Sequence, residues 1–109
     1  MEYVKQLFYL KSADITIDIL LGFDKETLIL EGYDSGPRVE QLRGDPDYAY
    51  QLTIKEQELN KLYHLNGIEP GEKARLVDAL SARFNGSQAF SLFRSYLTEN
   101  EVKFDPFLY

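Results

Sequence analysis

The apolar residues of this chain change period near its middle, and that change constrains the fold more than any other feature. Ile15, Ile17, Ile19 and Leu21 alternate with Thr16, Asp18 and Leu20, the period of a strand with one apolar face and a mostly polar reverse. The polar stretch Gly22–Glu26 predicts a reversal, after which Thr27–Glu31 reads as the returning strand of a hairpin. Tyr3–Leu10 reads as a strand before it and Tyr48–Leu52 as one after it. The intervening Gly32–Asp47 holds three of the seven glycines and two of the four prolines, so it reads as mainly loop, with a helical turn near Val39–Leu42.

Beyond residue 52 the spacing becomes helical. Thr53-Ile54-Lys55-Glu56 has the form of a capping box, which predicts a helix start at Thr53. Leu59, Leu62, Tyr63 and Leu65 form its stripe, and Asn66-Gly67 its stop. A second helix carries Leu76, Val77, Leu80 and Phe84 and ends at Asn85-Gly86. A third, capped by Ser87, carries Phe90, Phe93 and Leu97, with Leu92 and Tyr96 widening the stripe up to Asn100. Val102-Lys103-Phe104 alternates again as a possible short final strand.

Strands first and helices second predict one α+β domain over residues 1–109. Its expected form is an antiparallel sheet of about four strands covered on one face by about three helices. The expected core comprises Ile15, Ile17, Ile19, Leu28, Leu30, Tyr50, Leu62, Leu76, Leu80, Phe84, Phe90, Phe93 and Leu97. The chain is 44% hydrophobic and 28% charged, a balance that supplies a core and excludes bulk disorder.

Charge narrows the partners. The net charge of −6 opposes attraction to nucleic-acid phosphates or anionic lipid and favours a basic protein. The longest apolar run near the N-terminus, Leu7–Leu10, is too short for a signal core or a membrane span, so a cytoplasmic protein with no membrane association is expected. With no cysteine, disulfides, thiolate nucleophiles and Cys-ligated metals are excluded.

The acidity is uneven. Residues 1–52 hold ten acidic and five basic side chains, whereas residues 53–100 hold six of each. Glu31, Asp34, Glu40, Asp45 and Asp47 fall on or beside the Gly32–Asp47 segment, with Tyr33 and Tyr48 at its ends. Rings supply contact area and carboxylates steer a basic partner, so Tyr33, Asp34, Glu40, Asp45, Asp47 and Tyr48 form the candidate partner-binding set. The competing reading of the same residues is solvated turn chemistry.

Catalytic and cofactor motifs are absent. His64, the single histidine, has no Gly-x-Ser-x-Gly elbow to serve and reads as a helix-surface residue. Asp34, Asp45 and Asp47 carry oxygen ligands suited to Mg²⁺ or Ca²⁺ but lack a calcium-loop spacing. Gly32, Gly36 and Gly44 form neither a P-loop nor a dinucleotide fingerprint. No catalytic residue, metal or cofactor is therefore expected. An exposed cluster of Tyr96, Phe107 and Tyr109 would make a second candidate patch, against the alternative of a packed C-terminus.

Three segments carry a resemblance: Gly32–Pro37, Gly44–Tyr50 and Phe93–Phe104. In them the chain resembles a loosely defined group of small bacterial α+β proteins. Pro46 and Ala49 depart from that group's Gly-Asp-Ser-Asp-Tyr-Glu-Tyr, and Asn100-Glu101 from its Asn-Gly. In size, acidity and fold class the group is similar to immunity proteins of bacterial toxin systems. The resemblance implies no activity and assigns no site residue. The functional expectation is a non-enzymatic protein-binding module, in its concrete form a toxin-neutralising immunity protein. The alternatives are a small-ligand or cation-binding regulatory module and, third, an enzyme.

Overall fold

The structure, a computed structural model, describes residues 1–108. Strands β1 (Glu2–Lys11), β2 (Thr16–Asp24) and β3 (Thr27–Ser35) form a meander, and the short helix α1 (Pro37–Arg43) leads into β4 (Asp47–Ile54). Helices α2 (Glu56–Leu65), α3 (Lys73–Arg83) and α4 (Ala89–Glu99) follow, before β5 (Asp105–Leu108). All five strands join one antiparallel sheet in the order β1-β2-β3-β4-β5. The class is the expected α+β, with the C-terminal strand as a fifth member and α1 as an additional helix.

The register stacks the apolar positions into rows. Leu21 faces Leu30, which faces Leu52, and Phe23 faces Leu28, which faces Ile54. Each of these six is 1% exposed or less, and burial of such a side chain is worth roughly 1.5–3 kcal/mol. They pack against Leu59 and Leu62 of α2, Leu76, Val77 and Leu80 of α3, and Phe93 and Leu97 of α4, in a cluster that draws on both halves of the chain. Glu58 of α2 accepts hydrogen bonds from the Lys103 amide at 2.8 Å and the Lys61 ammonium at 3.0 Å, which holds the segment leading into β5.

Local features differ from the sequence reading where burial outweighs capping chemistry. Thr53 does not cap a helix: β4 runs on to Ile54, Thr53 pairs with Ile29 and Asp105, and Ile54 is fully buried. Helix α2 instead begins after Lys55, without a side-chain cap, and its first turn carries Glu56 and Glu58, which complement the helix dipole. Ser87 likewise yields the N-cap position of α4 to Gln88. The final strand lies beyond Val102–Phe104, at Asp105–Leu108, and Pro106 is accommodated because β5 is a sheet edge.

The Gly32–Asp47 segment is ordered, not mainly loop. β3 continues to Ser35, α1 occupies Pro37–Arg43, and Gly44 ends it in the left-handed region at φ 80°, a conformation glycine adopts without steric cost. Ile15, Ile17, Tyr50 and Phe90 are only partly buried, and Leu65 and Leu92 are exposed. Tyr96 is buried at 8%, so it does not join an exposed C-terminal cluster. Tyr109 lies outside the described residues.

Candidate functional site

Strand alternation sends every second side chain of the sheet away from the helices. Two rows of that reverse face are Tyr9, Asp18, Tyr33, Ala49 and Gln6, Leu20, Glu31, Gln51, Phe107. Helices α2, α3 and α4 bury their apolar stripes on the opposite side, and Tyr9, Tyr33 and Phe107 remain 51%, 44% and 52% exposed. An aromatic surface of this kind is a recognised feature of interaction sites when it is contiguous.

The carboxylates of this open face are mostly unneutralised. Asp18, Glu31 and Asp47 make no ion pair with a described lysine or arginine, whereas Asp105 at the border pairs with Lys55 at 3.7 Å. Asp18 accepts a hydrogen bond from the Gln6 side-chain amide at 2.9 Å. The Tyr33 hydroxyl donates to Asp47. That bond, followed by partial desolvation and the charges of Asp47 and Asp45, pushes the Tyr33 phenol above its ordinary pKa. Tyr33 therefore stays a neutral donor, and its hydroxyl is tethered beside a hollow of about 260 Å³ lined by residues that include Asp18, Leu20, Glu31, Tyr33, Ala49 and Gln51.

Asp34 and Tyr48, adjacent in sequence to Tyr33 and Asp47, point to the other side of the sheet. There Tyr50 lies across Gly32, whose missing Cβ leaves the space its ring occupies. The Tyr50 hydroxyl donates to Asp34 at 2.9 Å, and its ring meets Phe90 of α4 edge-on at 4.8 Å and Tyr48 at 5.4 Å. The Arg43 guanidinium stacks 3.8 Å from the Tyr48 ring centroid. Burial raises the Asp34 carboxyl pKa, outweighing the Tyr50 hydrogen bond and the Arg43 charge that lower it. Burial, with Asp34 beside it, also pushes the Tyr50 phenol up.

The six candidate residues are thus divided. Tyr33 and Asp47 share the open face, while Asp34 and Tyr48 belong to the aromatic cluster that closes the other side. Glu40 is exposed on α1, and Asp45 accepts from the Asp47 amide at 3.0 Å in the turn before β4. Asp34 does not share a site with Asp47, and among the described residues no group of three or more His, Asp or Glu side chains is placed to hold a metal. His64 is exposed on α2.

Sequence reasoning missed Tyr9, Asp18, Leu20, Glu31 and Gln51 as a set. Their signal was the polar reverse of the alternating strands, which is readable only once the register brings distant residues into the same row. None of the described helices is long and apolar enough to cross a membrane. No family model, curated protein or solved structure gives a significant match to the chain.

Proposed function

We propose that this chain is a non-enzymatic protein-binding module that engages a basic partner through the open face of its sheet. One observation carries the reading: three carboxylates with no ion-pair partner among the described residues, Asp18, Glu31 and Asp47, stand among the exposed rings of Tyr9, Tyr33 and Phe107. Aromatic rings provide area with little conformational entropy to lose, and clustered like charges raise the encounter rate with a complementary surface. The concrete form is an immunity protein that covers the active site or substrate groove of a basic toxin. Such a task requires complementarity over a rigid surface and no reacting groups. A sheet anchored by buried rows on its reverse side provides that rigidity.

A fluorescent octa-arginine peptide tests the reading by stopped-flow. Replacing Asp18, Glu31 and Asp47 with Asn, Gln and Asn is expected to slow association by about tenfold at low salt and to flatten its salt dependence. A control variant with Glu69, Glu72 and Glu99 changed to Gln removes the same charge elsewhere and is expected to retain most of the parent rate. Equal slowing in both variants would reduce the effect to net charge and overturn the assignment to this face.

A further inference from the structure

The hollow at the centre of the open face has a narrower chemistry than the face as a whole. Asp18 and Glu31 lie on adjacent strands as diagonal neighbours, Asp18 opposite Tyr33 and Glu31 opposite Leu20, a placement that separates backbones by roughly 7–8 Å with side chains on the same side. The small side chain of Ala49, opposite Tyr33 on β4, keeps one flank of the hollow low, and Leu20 supplies an apolar wall. Tyr33 stands at the rim with its hydroxyl held by Asp47. One oxygen of Asp18 is engaged by Gln6, leaving the other to accept from a ligand. At about 260 Å³ the hollow is smaller than the ~300–1,000 Å³ of drug-sized ligand pockets, and it suits a single side chain.

We infer that this hollow is an arginine-anchor site, which takes one arginine side chain projecting from a basic protein partner. The inference rests on the protein-binding reading above and adds the identity of the group recognised. A guanidinium is planar and carries N–H donors along two edges, so it can bond Asp18 and Glu31 at once and lay a face on the Tyr33 ring. Its methylene stem fits against Leu20. A lysine ammonium carries the same charge but is a compact point with no face to stack, and it cannot span the two carboxylates in one plane. The protein's own Arg43 stacked on Tyr48 is an intramolecular example of the same pairing. Charge complementarity selects the occupant: a carboxylate-rimmed hollow excludes anions and offers a neutral apolar group no partner for either carboxylate.

The test uses the full chain with its tyrosine rings and alanine methyls isotopically labelled, titrated with acetyl-Gly-Arg-Gly-amide and with its lysine counterpart. The arginine peptide is expected to shift the Tyr33 ring and Ala49 methyl signals saturably, and to bind about tenfold more tightly than the lysine peptide. Ala49→Leu fills the hollow without altering charge and is expected to abolish the saturable shift while octa-arginine still associates with the face. Glu31→Gln provides a second variant should Ala49→Leu disturb the fold, and is expected to remove the preference for arginine. Equal, unsaturable shifts from both peptides, with octa-arginine binding intact, would overturn the anchor and leave the wider reading standing. Absence of octa-arginine binding to the parent would overturn both.

Discussion

The two faces of the sheet share strands, ladder and register, yet one is dry and apolar while the other is exposed and acidic. On the covered face Leu21, Leu30 and Leu52 meet in a row at 1% exposure or less. One residue along each strand, Leu20, Glu31 and Gln51 form a half-buried row on the open side. Folding free energy concentrates in the first row, because buried apolar area is the dominant favourable contribution. The second row is therefore free to hold a carboxylate, Glu31, diagonal to Asp18 in the next row.

Substitutions should separate the faces sharply. The largest effect is expected for Leu30→Ala, which removes a fully buried side chain at the sheet centre and should cost about 2–5 kcal/mol in denaturant unfolding. Next comes Gly32→Ala, because an added Cβ would overlap the Tyr50 ring, and displacing that ring from Phe90 and Asp34 should cost about 1–3 kcal/mol. Pairing it with Tyr50→Leu should recover part of that loss, and a strictly additive double mutant would show that the ring is not what the glycine accommodates. On the open face, Asp18→Asn with Glu31→Gln should leave the unfolding free energy within about 0.5 kcal/mol of the parent. A loss on the scale of Leu30→Ala would erase the distinction between the faces.

The smallest effect is a pH dependence at the aromatic cluster. Burial raises the folded-state pKa of Asp34, so the folded state favours the protonated carboxyl. Its stabilising contribution is complete below the ordinary aspartate pKa and is lost as pH rises through the raised value. Asp34→Asn keeps an acceptor for Tyr50 without a charge. The parent should therefore gain stability relative to this variant as pH falls from neutral to about 4, measured by urea unfolding at both values. A gap that widens in the variant's favour on acidification would contradict the burial argument.

Much of this was legible in the residues. The alternation of Ile17, Ile19 and Leu21 located β2 and its buried side, and the stripe of Leu76, Val77 and Leu80 located α3, since both patterns repeat over several turns or pleats. Thr53 misled because the capping-box pattern is local, whereas the burial of Ile54 between β3 and the helices is a tertiary gain. The acidic segment divides between the two faces for a related reason. Tyr33 and Asp34 are neighbours in the chain, but once β3 extends to Ser35 they project from opposite faces. Asp18 and Glu31 come together only through the β2–β3 register.

Tyrosine rings report directly on which face meets a basic partner, because they occupy both. With the eight tyrosines ring-labelled and octa-arginine added, the Tyr9 and Tyr33 signals should move while those of Tyr50, Tyr63 and Tyr96 stay in place. Movement of Tyr50, Tyr63 or Tyr96 with Tyr9 and Tyr33 unchanged would contradict the account and place the partner on the helical side.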